Sequence, residues 1–330
     1  MTAGAVRPQC AVQVDMDSFA TLLRYYGYPS DDAPEPFYDL VIPRLIELFN
    51  EHKIRATVFV VGSEVRGSAG RWLRELITAG HEIANHSHTH PYGMTRWSPQ
   101  AQEQELIAAE QAIVSWTGNR PVGFRNPGYD VDEPLLALLE SRGYWYDSSV
   151  FPTTLSIPIR LMQTWTRLRR QAEHGTMGRL SFLRAPRQPY RPAAQSLWRV
   201  DPARPLVELP VATLPMSRLP FYGTAVLSWG SAYAAAALRQ LRSEDIVFAM
   251  HAVDVLGPDQ DQIDPRLNHH PGIRLPVARK LALFKSMFDQ VAQTHRFVTS
   301  CALAIAHRDS TWQHEISDGS RAHAPAPCAS

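Results

Sequence analysis

The chain has 330 residues, 45% of them hydrophobic, with 33 basic and 32 acidic side chains and a formal net charge of +1. That length suffices for one barrel domain of about 250 residues or more, and the balanced charge gives no bulk electrostatic reason to bind nucleic acid. No apolar run approaches the roughly 18 residues of a membrane span, and the opening MTAGAVRPQCAVQVDMD lacks an apolar core of signal-peptide length. The three cysteines, Cys10, Cys301 and Cys328, are odd in number and widely spaced, which argues against a disulfide framework and fits a reducing compartment; a cytoplasmic protein is expected.

In chain order, the first signal is Ala11-Val12-Gln13-Val14-Asp15-Met16-Asp17, an apolar strand pattern ending in two carboxylates that alternation puts on one side. An ordinary strand end, where Asp begins a turn, has the same look. Tyr38 to Lys53 carries Val41, Leu45, Leu48 and Phe49 at helical spacing, and Arg55 to Val61 follows as a β-branched strand. Gly70 to Ala79 reads as a short helix stopped by Gly80; Ser98-Pro99 opens a longer one ending near Gly118; Asp132 can cap a helix running to Arg142, with Gly143 as its stop. Val207 to Val211 is a strand, and Ala232 to Leu241 is helical by its alanine content. The β/α rhythm implies a parallel sheet closing into an incomplete barrel.

Between Gly80 and Gly93 the chain reads GHEIANHSHTHPYG. His86, His88 and His90 directly after a short strand suggest a metal site, since imidazole nitrogen is the commonest protein ligand for zinc and similar ions. His86 and His90 share a face if the chain turns helically after the strand, which points His88 elsewhere; a solvated histidine loop is the alternative. Asp17 would complete a His/His/Asp set, with Asp15 beside the ion to take a proton from its water. Three further apolar runs end abruptly in functional side chains, at Arg125-Asn126-Pro127-Gly128-Tyr129, at Tyr146-Asp147-Ser148-Ser149 and at Met250-His251. Strand ends of a β/α barrel converge on one mouth.

The order Asp-x-Asp, His-Ser-x-x-His, Arg-x-Pro, Tyr-Asp-Ser-Ser and a late hydrophobic-His resembles the NodB-homology polysaccharide deacetylases, carbohydrate esterase family 4, over roughly residues 11 to 300. The resemblance implies an irregular or incomplete (β/α) barrel of that type, an α/β fold, and metal-dependent hydrolysis of an amide C–N bond, foremost N-deacetylation or N-deformylation of an amino sugar or glycoconjugate. It makes Asp15 the general base, His251 the general acid, Arg125 the group that orients and tunes the base, and Asp17, His86 and His90 the ligands of one divalent ion. Zinc is the expected ion; cobalt, nickel and iron suit the same ligands. Tyr129 falls where relatives offer a backbone N–H to the oxyanion. Met16 separates aspartates that are usually adjacent in the family, a spacing more like members acting on lipid-linked sugars, cell-wall glycans or small cyclic amides. His251 is followed by Ala252-Val253-Asp254, where one glycan-related branch has Pro-Trp-Glu. Asp254 holds the imidazole, meets a substrate hydroxyl or caps a loop. Asp147 supports the acid histidine or bonds the Ser148-Ser149 turn.

One catalytic domain, residues 1–310, is expected, with a variable Pro-rich insertion at about 152–205 that carries Arg167-Leu168-Arg169-Arg170 and aromatics Trp165, Phe182, Tyr190 and Trp198. It is a lid over the substrate or a surface subdomain. His269-His270 lies in a second interruption, 257–276, and suits a mobile loop; residues 317–330 read as a disordered tail. An N-acyl small molecule or glycoconjugate is the expected partner, and the sequence leaves a homo-oligomer open. Two other functions stay open: hydrolysis of a small cyclic or linear amide of imide or ureide type on the same fold, and non-catalytic carbohydrate binding. No G-x-S-x-G elbow supports a serine hydrolase.

Overall fold

The apolar runs that end in charged residues are strands of one parallel sheet, in a computed structural model that describes residues 7–30, 33–156, 179–268, 270 and 272–308. Strands β1 (Gln9–Asp15), β2 (Thr57–Val60), β3 (Glu82–Asn85), β4 (Gly123–Phe124), β5 (Tyr146–Asp147), β8 (Val207–Glu208), β9 (Ile246–His251) and β10 (Arg296–Val298) form it; β6 (Pro192–Ala193) and β7 (Ser196–Val200) make a separate antiparallel pair. The order runs β10-β1-β2-β3-β4-β5-β8, and β9 pairs β1 from Cys10 to Asp15. Beyond β8 the chain crosses to β9 through a single bond from Ala212 N to Val247 O (2.9 Å). The result is the expected irregular, incompletely paired barrel.

Helices α1 (Phe19–Tyr25), α2 (Glu35–Glu51), α3 (Gly67–Thr78), α4 (Pro99–Thr117), α5 (Glu133–Ser141), α6 (Gly223–Gln240), α7 (Val277–Thr294) and α8 (Ser300–Ala306) complete the fold. Local chemistry sets their ends: Ser98 accepts from Ala101 N and Asp132 from Leu135 N, each satisfying one orphan donor of its helix. The sequence patterns do not anticipate six elements, namely α1, β6, β7, α7, α8 and β10. Helix α7 buries Val277, Phe284, Met287, Phe288 and Val291, an i, i+3, i+4 stripe that was there to be read. Helix α6 begins nine residues before the alanine run, with a break at Gly230 (φ 78°, ψ −171°).

Alternation along β1 decides what faces where. Cys10, Val12, Val14 and Met16 join Val41, Leu45, Phe49, Phe248 and Phe288 in the main core between sheet and helices, each large apolar side chain contributing about 1.5–3 kcal/mol of transfer free energy. Ala11 instead meets Phe59, Tyr146, Val247 and Leu303 in a second cluster. Helix α8 ties into it: Gln13 Nε2 donates to Ser300 Oγ (2.9 Å), Ser300 N to Thr57 Oγ1 (2.8 Å) and Cys301 N to Glu82 Oε2 (3.0 Å).

The described half of the Pro-rich insertion holds a 3-10 turn (Leu180–Arg184) and the β6–β7 pair. Phe182, Tyr190 and Trp198 pack against Phe124, Leu135 and Leu139, so this half is folded onto the domain. Trp165, Arg167, Arg169, Arg170, His269 and the 317–330 tail lie outside the described residues. Cys10 is a buried free thiol, whereas Cys301 is disulfide-bonded. Among the described residues no helix is long and apolar enough to cross a membrane.

Candidate active site

Three strand ends and one loop bring the motif residues together. Asp15 and His251 are register partners at the ends of β1 and β9, with His251 Nε2 4.0 Å from Asp15 Oδ2. Asp17 follows two residues on, its carboxyl facing the histidine loop: Oδ1 is 3.4 Å from His86 Nε2 and 3.1 Å from His90 Nε2. A carboxylate oxygen and two imidazole nitrogens from these three buried residues all lie within 4.8 Å of one another.

The two histidines do not converge through a helical turn. The segment after β3 is a loop in which Ser87 (φ 66°) and His90 (φ 57°) take left-handed backbone, an uncommon conformation for non-glycine residues that functional loops often carry. The loop is held from α4, where Glu105 Oε1 accepts from His88 N (2.8 Å), Thr89 N (2.5 Å) and Thr89 Oγ1 (2.9 Å). Ser87 N donates to Asn85 Oδ1 (2.7 Å) and His90 N to Ser87 Oγ (3.1 Å). His88 is half-buried and outside the cluster, as its spacing predicted.

The donor set fits a divalent ion. His86 Nδ1 lies 2.8 Å from the Arg125 carbonyl, so it carries the proton there and leaves the Nε2 lone pair toward Asp17. Asp17 Oδ1 is buried and faces both imidazole Nε2 atoms. Burial pushes the Asp17 carboxyl up, but the charge of His90 and hydrogen bonds from His86 and His90 outweigh it and hold the group well below the usual carboxylate range. For His86 burial pulls down, while the Asp17 hydrogen bond and the Asp15 charge win and raise it.

Arg125 is fully buried, and each of its three nitrogens donates a hydrogen bond. NH1 binds Asp15 Oδ1 (2.7 Å), Nε the Ser148 carbonyl (2.9 Å), and NH2 both Ser148 Oγ (2.9 Å) and Gln13 Oε1. The guanidinium also stacks over Phe59, 4.5 Å from its centroid. Burial opposes its charge, and Asp15 foremost restores it, so the guanidinium stays firmly protonated. Gln13, two residues before Asp15, and Glu105 were missed as site residues; only the period-2 pattern of β1 hints at Gln13.

A cavity of about 250 Å³ opens over these groups, lined by Asp15, Asp17, His86, His90, Arg125 and His251, and walled by Tyr25, Tyr26, Tyr92, Tyr129, Tyr222 and His270. Tyr129 reaches it differently from expectation. Its N–H already donates to Asn126 O (3.1 Å), while its buried hydroxyl has no partner among the described residues, so the phenol is the donor it can offer. Asp147 and Asp254 do not line the cavity. Asp147 bonds the turn, accepting from Ser149 N (3.1 Å) and Ser149 Oγ (2.7 Å); Asp254 Oδ2 accepts from His251 N (3.0 Å) and so caps the loop after β9.

The polysaccharide deacetylase family model matches residues 30–146, a span that holds His86, His90 and Arg125 but not Asp15, Asp17 or His251. The peptidoglycan deacetylase of Helicobacter pylori is 28% identical over 167 residues, 48% of this chain and 55% of that protein. A chitooligosaccharide deacetylase of a Bradyrhizobium strain is 35% identical over 85 residues, 26% of this chain and 36% of that one. The peptidoglycan-N-acetylglucosamine deacetylase of Bacillus cereus is 27% identical over 114 residues, 34% and 51% of the two chains. The chain thus spans about half or less of the length of these curated relatives. A solved Mycobacterium smegmatis structure, provisionally assigned to the polysaccharide deacetylases, aligns with TM-score 0.57 at 17% identity over 92% of this chain and 91% of that one, a likeness of fold. Over residues 30–146 the chain is thus similar to the polysaccharide deacetylases, and it shares the barrel fold of the Mycobacterium smegmatis structure.

Proposed function

We propose that the protein is a metal-dependent deacetylase that hydrolyses the N-acyl bond of an amino sugar in a glycan or glycoconjugate. The observation that carries the reading is the convergence of Asp17, His86 and His90 beside the Asp15–Arg125 pair and His251 in one cavity. Relatives named as peptidoglycan and chitooligosaccharide deacetylases support the substrate class.

Asp17, His86 and His90 would hold one divalent ion, zinc by ligand type with cobalt, nickel and iron also suited. When bound, such an ion supplies a Lewis acid for the acyl carbonyl and lowers the pKa of water. Asp15 accepts the proton of the attacking water. Arg125, anchored by Gln13 and Ser148, aims the Asp15 carboxylate. The C–N bond breaks as His251 gives a proton to the departing amine nitrogen, and the products are the free amine and a carboxylate. The 4.0 Å between His251 Nε2 and Asp15 Oδ2 lets base and acid serve one reacting carbon from adjacent strand ends. Tyr129 Oη can donate to the developing oxyanion or a sugar hydroxyl.

The test is elemental mass spectrometry with amine-release assays on N-acetylated chitooligosaccharides and peptidoglycan fragments. About one divalent ion per chain is expected, lost in His86→Ala/His90→Ala and retained in Asp15→Asn and His251→Ala, both of which should lose turnover by about 100-fold or more. A protein that cannot be loaded with metal, or an Asp15→Asn variant with full activity, refutes the assignment.

A further inference from the structure

A second pair of carboxyls sits near Arg125 and takes no part in the chemistry above. Asp147 and Glu208 are register partners on the neighbouring strands β5 and β8, and neither side chain has any exposed surface. As register partners on one face of the sheet, both shut off from solvent, the two carboxyls cannot both stay ionised; one proton must rest on the pair. Hydrogen bonding says where it rests. Asp147 accepts from Ser149 Oγ and Ser149 N, whereas Glu208 accepts only from Val150 N (3.0 Å), and its Oε2 has no donor among the described residues. Charge belongs on the oxygen pair with more donors, so Asp147 is the carboxylate and Glu208 the acid. Burial foremost, then the charge of Asp147, pushes the Glu208 carboxyl well above its usual range, in line with this geometry.

From this pair two short relays lead to the Arg125 turn. Asp147 receives the Ser149 hydroxyl, whose oxygen in turn accepts from Asn126 N (2.8 Å). One residue past Glu208, the Leu209 carbonyl accepts from Ser148 Oγ (2.7 Å), and Ser148 supplies both its carbonyl and its hydroxyl to Arg125. Orientation of Ser149 thus depends on which of the two carboxyls is donor and which is acceptor, while Ser148 is held by the backbone carbonyl next to Glu208.

We propose that Glu208 is a positioning residue: it holds the shared proton, donates it to Asp147, and through Ser149 fixes the turn that presents Arg125 to Asp15. The rate arm of its test rests on the deacetylase reading; the spectroscopic arms do not. Infrared difference spectra at neutral pH should show a carboxylic-acid carbonyl band in the wild type that disappears in Glu208→Gln. The Arg125 side-chain Nε–H resonance, assigned by its loss in Arg125→Lys, should exchange with solvent about tenfold faster in Glu208→Leu and Ser149→Ala. Glu208→Gln, which keeps an N–H toward Asp147, should restore slow exchange. With an N-acetyl oligosaccharide substrate, Glu208→Leu should lower kcat by on the order of tenfold to 100-fold at unchanged KM and metal content, and Gln should recover most of it. Ser149→Ala cuts the relay while leaving the pair intact, so it decides the matter if the Leu variant fails to fold. No acid band lost in Glu208→Gln, or wild-type exchange at Arg125 in both Glu208→Leu and Ser149→Ala, overturns the proposal. If the wild type releases no amine from any N-acyl sugar, the deacetylase reading fails, and the infrared and exchange results still decide the role of Glu208.

Discussion

Replacing Arg125 by Met while Asp15 is intact leaves a carboxylate with almost no solvent exposure (2%) facing an apolar side chain. Removing one partner of a buried pair costs about 3–5 kcal/mol, because the remaining charge is uncompensated. Here the Ser148 carbonyl loses its donor as well, such a buried group adding about 1–3 kcal/mol when left unpaired, while the Gln13 amide oxygen keeps Ser148 Oγ (3.2 Å). These terms overlap, so about 4–6 kcal/mol is expected, a large share of a typical 5–15 kcal/mol total. Asp15→Asn keeps shape and one acceptor, and should cost about 2–3 kcal/mol through the charge left on Arg125. In the double variant no unpaired charge remains, so its cost should fall short of the sum by about 2–3 kcal/mol. Urea unfolding of all four proteins in excess chelator keeps the metal contribution out of the comparison. Additive costs, with coupling under about 0.5 kcal/mol, would show that the guanidinium and Asp15 do not depend on each other, and the base-orienting role of Arg125 would fall with them.

Glu105 holds the histidine loop with one oxygen and three donors, so Glu105→Ala should weaken divalent-ion binding by about 10- to 100-fold in a chelator competition; unchanged affinity would mean the loop is set by its own backbone. His81 is completely buried, accepts from Ala56 N (3.0 Å), and has its pKa lowered by burial to about 4. A histidine depressed in the folded state stabilises above its unfolded pKa of about 6.5 and loses that stability as pH falls toward 4, by at most about 3 kcal/mol. His81→Gln should therefore flatten the decline of unfolding free energy between about pH 6.5 and 4, and an unchanged slope would assign that decline to other groups.

Much of the scaffold was legible because its determinants are local. Ser98 and Asp132 cap the helices they were read to cap, and the boundaries of α2, α3, α4 and α5 fall within a few residues of the sequence expectation. Helix α6 was read short because alanine content marks only its second half. Its beginning is set by a contact no propensity records: a Cβ on Gly223 would stand 2.4 Å from Asp254 Oδ2. The i, i+4 spacing of His86 and His90 implies a helical turn, but left-handed Ser87 and His90, in a loop pinned by Glu105, bring the two rings together instead.

The chemical residues were visible and their supports were not, and the barrel explains the difference. Each of the proposed catalytic groups sits at or just past the end of a strand, where an apolar run stops at a charged residue, so one-dimensional pattern finds Asp15, Arg125 and His251 separately. What makes them a site is register: Asp15 beside His251 on β1 and β9, and Asp147 beside Glu208 on β5 and β8. Register is fixed by pairing between segments that are 61 to 236 residues apart, and a lone glutamate in Val207-Glu208-Leu209 looks like any polar residue of a half-buried strand. Seen in the sheet, that glutamate has no water and a carboxylate for a neighbour. In the arrangement proposed above, the protonated glutamate bonds Asp147, whose Ser149 partner accepts from the Asn126 backbone beside Arg125.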